Sequence, residues 1–122
     1  MRRRLLVLGV LSGAVLLVSV SVSASTNWSD VVTLSEAGEN AYGQRGAMSA
    51  DGTTQTITWR RYDGTNQRAQ VTTSADSGQT WSDAETLSEA GQHGRDPEVA
   101  MSADGTTQTI TWYRNDGAKW RG

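Results

Sequence analysis

An all-β repeat fold is predicted by three observations. The chain duplicates itself, its runs are strand-forming with no helical periodicity, and Asp-Gly and Ser-Gly pairs punctuate it at short intervals. Residues 28–69 align with residues 81–122 at an offset of 53 without a gap, and 26 of the 42 pairs are identical. A period of this size marks solenoids, propellers and arrays, whose units bury their apolar faces only against neighbours. The second copy stops at Gly122, partway through its unit, so fewer than two full units are expected.

The first 25 residues stand apart. Arg2, Arg3 and Arg4 precede an apolar run over residues 5–22, and Val22-Ser23-Ala24 places small residues where a signal peptidase reads. This pattern predicts a signal peptide over residues 1–24, cleaved after Ala24, and a secreted product with no membrane partner. The alternative is an uncleaved membrane anchor, because an apolar run of about 18 residues approaches the length needed to span a bilayer. Cleavage leaves 8 basic residues against 13 acidic ones, a net charge of −5. No basic cluster survives, which argues against nucleic acid as a partner. The chain has no cysteine, so no disulfide supports the exported domain. Phe is absent and apolar residues are sparse, and a chain of this size is then marginal as an independent unit.

Within one repeat the runs are rich in Thr, Val, Trp, Ile and Gln. They read as short strands joined by tight turns. Residues 47–49 begin the first strand, and Ala50-Asp51-Gly52 turns it. Residues 53–61 form the second, with Gln55, Ile57 and Trp59 on one face and Thr54, Thr56 and Thr58 on the other. Asp63-Gly64 turns the chain into a third strand over residues 67–74. Asp76-Ser77-Gly78 turns it again, into a fourth over residues 83–87. A loop over residues 88–96 leads to Pro97, expected at the first position of the next strand, where a missing N–H costs least. Four antiparallel strands linked by hairpins is the plan of a propeller blade, with a sandwich as the next alternative. A helical repeat has no support from the spacing, and a parallel β-helix would show shorter, more regular rungs.

One motif goes further. Residues 74–81, SADSGQTW, fit S-x-D-x-G-x-T-W. Asp76 can accept backbone N–H groups across its own turn. Gly78 can supply a positive φ, the Ser74 and Thr80 hydroxyls can bond nearby backbone, and Trp81 can bury its ring. Here the chain resembles the Asp-box (bacterial neuraminidase repeat) proteins, whose best-known members are sialidases. The resemblance implies a sialidase-like β-propeller with the motif between the third and fourth strands of a blade. It also implies that Ser74, Asp76, Gly78, Thr80 and Trp81 are structural residues on the blade periphery. Residues 28–34 then resemble the last strand of a preceding blade, residues 47–87 one full four-stranded antiparallel blade, and residues 98–122 part of another. A ring of about six blades would be roughly one-third filled, so the chain reads as a fragment. Residues 21–28, at the place of an earlier motif, lack both Asp and Gly.

Sialidases use a tyrosine nucleophile helped by a glutamate, an aspartate acid/base and three arginines that hold the substrate carboxylate. Arg95-Asp96-Pro97 partly resembles the F/Y-R-I-P motif that carries the first arginine. Gly94 stands in place of the aromatic and Asp96 in place of the isoleucine, while the other repeat has Tyr42 and Gln44 at the matching positions. Arg95 is thus the one catalytic candidate. Its competing reading is a solvated loop arginine beside Asp96. Tyr42, Tyr62 and Tyr113 are the only tyrosines, and none matches the nucleophile's context. Tyr62 is expected at a surface turn, whereas Tyr113 is expected to pack. His93, the only histidine, has no serine or cysteine partner for a triad. The loop acids Glu36, Glu39, Glu89, Asp96 and Glu98 show no pairing toward one pocket. Neither Asp63-Gly64 nor Asp116-Gly117 extends into a calcium loop, so no metal and no cofactor are expected.

The repeats diverge most at residues 39–46 against 92–99. In propellers such loops line one mouth of the channel, where ligands bind. Tyr42, His93, Arg95 and Asp96 therefore form a candidate ligand loop, with a glycan as the expected ligand. Trp59 and Trp112, and likewise Trp28 and Trp81, occupy equivalent positions, which predicts packing between blades. Trp120 has no counterpart in the other repeat. Three functions follow in order: a catalytically silent piece of a secreted sialidase-like propeller, a glycan- or surface-binding module that self-associates through open blade edges, and an active exo-sialidase.

Overall fold

The computed structural model describes residues 30–115, 117 and 119–122. The expected signal peptide with its cleavage site, the 21–28 segment and Trp28 lie outside the described residues. All described strands belong to one unit, Val32–Gly122.

The described residues form an all-β structure of two antiparallel sheets. Strands β1 (Ala41–Met48), β2 (Gln55–Tyr62), β3 (Gln67–Ser74) and β4 (Glu85–Thr86) make the first, in that spatial order. Strands β5 (Gly94–Met101), β6 (Gln108–Asn115) and β7 (Trp120–Arg121) make the second. Every neighbouring pair is antiparallel and sequential, as short turns between strands dictate. Residues 30–40 carry no strand, so no ladder is seen where the end of a preceding blade was expected. Residues 32–36 instead run beside Trp81 and Ala84 along an open groove.

The turns follow from side-chain acceptors. Between β1 and β2, Asp51 Oδ1 accepts the Ser49 hydroxyl at 2.6 Å and the Thr53 N–H at 2.9 Å. Ser49 Oγ accepts the Thr54 N–H at 3.0 Å. The β5–β6 turn repeats this with Ser102, Asp104, Thr106 and Thr107 at 2.6–3.0 Å. Asp63 Oδ1 closes the β2–β3 turn on the N–H groups of Thr65 and Asn66 at 3.0 and 2.7 Å.

Several boundaries differ from expectation. β1 begins at Ala41 rather than Ala47, β2 spans Gln55–Tyr62 rather than residues 53–61, and β5 begins at Gly94 rather than Pro97. β1 and β5 each cross a bulge, between Tyr42 and Arg45 and between Arg95 and Glu98. The bulges hold Gly43 at φ 62° and Asp96 at φ 50°, which breaks the alternation that reveals a strand in sequence. Pro97 lies inside the second bulge, not at a strand's first residue, and is fully buried; the unpaired bulge position tolerates its missing N–H. β4 has only two ladder residues, yet its flanks stay tied. Ser82 N–H donates to Thr73 O and Leu87 N–H to Ala69 O, both at 2.8 Å.

The register fixes two faces for the first sheet. Tyr42, Arg45 and Ala47 pair with Arg60, Thr58 and Thr56, which pair with Ala69, Val71 and Thr73. By alternation these side chains share one face, and Ile57, Trp59, Gln70 and Thr72 share the other. The first face meets the second sheet. Thr56 and Thr58 are 0% exposed there. Thr56 Oγ1 donates to Gln108 Oε1 at 2.6 Å, and Thr58 Oγ1 approaches Pro97 O at 3.4 Å. Ala50 N–H donates to Ala103 O at 2.7 Å. On the opposite face Trp59 is 2% exposed, and its indole N–H donates to Gln70 Oε1 at 3.1 Å, which satisfies the one polar atom that burial would strand. Its repeat counterpart Trp112 is only half-buried.

Candidate functional site

Two constellations carry the residues singled out in the sequence. The first is the β3–β4 hairpin. Asp76 Oδ1 accepts the Ser74 hydroxyl at 2.7 Å and the Thr80 N–H at 2.8 Å, and Oδ2 accepts the Thr80 hydroxyl at 2.5 Å. Ser74 Oγ in turn accepts the Gly78 N–H at 2.9 Å. Trp81 Nε1–H donates to Gly78 O at 3.1 Å, so the indole closes the turn from outside while its ring is partly buried. Gly78 has φ 83°, and Ser77, at φ 62°, shares the left-handed backbone. These donors, the Thr80 hydroxyl foremost, then the Thr80 N–H and the Ser74 hydroxyl, hold the Asp76 carboxyl down at about 2, below its ordinary 3.8. Ser102 and Thr106 do the same to Asp104, also to about 2. Asp51 is lowered by the Ser49 hydroxyl and the Thr53 N–H, and Asp63 by the N–H groups of Asn66 and Thr65. A carboxylate held ionised by turn donors is a poor proton donor near neutral pH. These four aspartates are turn closures.

The second constellation lies where β1 and β5 begin. Asp96 accepts from Arg60 Nη1 at 3.2 Å, and the Arg60 guanidinium carbon stands 5.7 Å from the Tyr42 ring centre. Arg95 does not pair with Asp96. It lies within β5, and its guanidinium carbon sits 4.6 Å over the Trp120 ring, a cation–π contact. The His93 ring centre is 6.3 Å from that of Trp120, and His93 Nδ1 accepts the Gln67 N–H at 3.0 Å. That bond sets Nδ1 as the unprotonated nitrogen in the neutral ring. Arg95 Nε, Gln67 Oε1 and Gln92 Oε1 are buried and make no hydrogen bond within the chain.

The structure thus brings Tyr42, His93, Arg95 and Asp96 to one end of the two sheets, in two subclusters: Tyr42–Arg60–Asp96 and His93–Arg95–Trp120. Arg60 was missed in the sequence. Its signal was the first divergence, Arg60 against Tyr113, after thirteen identical residues. Tyr113, expected to pack, is 54% exposed, because nothing in the described residues covers its face. Trp120 is 44% exposed. Partly exposed aromatic faces beside guanidinium groups suit a polyhydroxylated ligand, whose C–H faces stack and whose hydroxyls accept from N–H donors.

Three of the remaining loop acids also have partners. Glu36 pairs with Arg61 at 3.1 Å, Glu89 with Arg114 at 3.3 Å and Glu98 with Arg45 at 3.0 Å. The two pairs exposed on both sides, Glu89–Arg114 and Glu98–Arg45, contribute about 0–1 kcal/mol each. Among the described residues no three His, Asp or Glu side chains converge as metal ligands would. No family model, no curated protein and no solved structure matches this chain.

Proposed function

We propose that this chain is a secreted Asp-box repeat module of the sialidase-like propeller type that recognises a glycan and does not by itself turn one over. The observation that carries this reading is the Ser74–Asp76–Thr80 network with Trp81 closing its turn. It realises the motif's local logic at the β3–β4 hairpin, the place the family resemblance implies. Two similar sheets laid face to face support the blade reading. The recognition site is the His93–Arg95–Trp120 and Tyr42–Arg60–Asp96 cluster. A silent module is favoured over an exo-sialidase because Arg95 is engaged with Trp120 and Asp96 with Arg60.

The test is binding of sialylated and neutral oligosaccharides, followed by tryptophan fluorescence, alongside hydrolysis of a fluorogenic sialoside. The expected result is saturable binding that Trp120→Ala weakens by at least about tenfold, a loss of about 1.4 kcal/mol, with no fluorophore released. Absence of binding to any oligosaccharide, or binding untouched by Trp120→Ala, counts against the ligand assignment. Turnover of the sialoside counts against the silent reading.

A further inference from the structure

The geometry points to head-to-tail self-association, in which the open face of β5–β6 on one copy receives the β1–β2 face of a second copy. The first sheet already shows how such a face is covered. Thr56 and Thr58 are fully buried against the second sheet, whereas Thr109 and Thr111, in an identical QTITW run, are exposed. Arg95, Glu98, Ala100, Thr109, Thr111 and Tyr113 share this open face by the same register that aligns their counterparts in the first sheet.

The covering half of the joint is duplicated too. In the joint between the sheets, Gln108 accepts from Thr56, Ala103 O accepts from Ala50 N–H, and the Pro97 carbonyl meets Thr58. One repeat earlier these places are held by Gln55, Ala50 and Gln44, so two residues are identical and the third serves only through its backbone. Gly105, tight against Thr54 and Ser49, corresponds to Gly52, which has open space around it. The ion pair reverses sign without being lost. Arg45 on the receiving sheet meets Glu98 on the covering sheet at 3.0 Å. Between copies Glu98 of one would meet Arg45 of the next, which extends the Arg45–Glu98 pair already present in each copy into a row of alternating charges. Arg60 and Asp96 become Tyr113 and Gly43, which removes a charge pair and adds no repulsion. Gly43 keeps the positive φ of Asp96 and so preserves the bulge. An interface between two different faces repeats from copy to copy. It closes into a ring when the rotation permits.

The inference rests on the repeat geometry and not on the glycan reading. A monomer that binds glycan overturns this inference alone; because Arg95 belongs to both surfaces, glycan binding is read on the two monomeric variants below, and their failure to bind overturns the ligand reading alone. The test is sedimentation velocity of the full chain across a concentration series, with Thr111→Arg blocking the receiving face and Gly46→Arg blocking the covering face. Both sites are exposed, and circular dichroism checks that both variants fold. Wild type is expected to form species larger than the 13.1 kDa monomer. Each variant alone is expected to stay monomeric, and their equimolar mixture to give a dimer and nothing larger, since one intact face of each kind remains. A wild type that is monomeric throughout overturns the proposal. So do folded variants that associate like wild type, and so does a mixture that stays monomeric.

Discussion

Gly52 and Gly105 hold the same place in the two repeats and the same backbone, φ 75° in each. A Cβ at Gly52 meets nothing within 4 Å. At Gly105 it would fall 2.8 Å from Thr54 Oγ1, 2.9 Å from Thr54 Cβ and 3.2 Å from Ser49 Cβ. Alanine at either site must adopt a left-handed conformation, which costs about 1–2 kcal/mol. Only Gly105→Ala also drives an atom into the first sheet, and overpacking of that kind costs about 1–3 kcal/mol more. The shared backbone strain cancels when the two variants are compared, so their difference isolates the joint between the sheets. For a domain of this size 1 kcal/mol moves the melting point by about 4–8 °C. Thermal melts followed by circular dichroism, at concentrations dilute enough to keep the chain monomeric, should place Gly105→Ala at least about 4 °C below Gly52→Ala. Equal melting points would refute the described contact between the β1–β2 and β5–β6 turns.

Further outcomes follow from the same structure. Trp59→Ala removes the largest buried side chain and is expected to cost about 3–5 kcal/mol, a large share of a typical 5–15 kcal/mol; urea denaturation should show the midpoint collapse. Gly94→Ala places a Cβ 2.7 Å from Ser88 Cβ and 3.2 Å from Ala69 N, so it should destabilise by about 1–3 kcal/mol in the same assay. Asp76 and Asp104 have folded values near 2, below their ordinary 3.8. Their contribution is present above about pH 4 and is lost as pH falls toward 2. Melting points should therefore decline through that window, with a shallower decline in Asp76→Asn.

The parts of this fold legible in the sequence were those set by neighbours along the chain. Asp76 finds its donors within four residues, and the alternation of Thr56 and Thr58 against Ile57 and Trp59 survives intact because nothing interrupts it. β1 and β5 were foreshortened in the sequence because Gly43 and Asp96 put left-handed residues inside a ladder, and a bulge has no two-residue period. The second constellation was half visible. Divergence between repeats singled out Tyr42, His93, Arg95 and Asp96. Their pairings, Asp96 to Arg60 and Arg95 to Trp120, span 36 and 25 residues and depend on how one sheet sits against the other. Tyr113 follows a strand-forming run and so reads as a packing residue. Its exposure is a property of which sheet face is covered, which local sequence does not encode.

The account depends most on the Asp76 staple, and the side-chain carboxyl ¹³C shift of Asp76 followed through an acid titration tests it directly. A midpoint near 2 is the predicted result. A midpoint near the ordinary 3.8 would mean that the Thr80 and Ser74 donors do not reach the carboxylate, and it would contradict the hairpin on which the Asp-box reading rests.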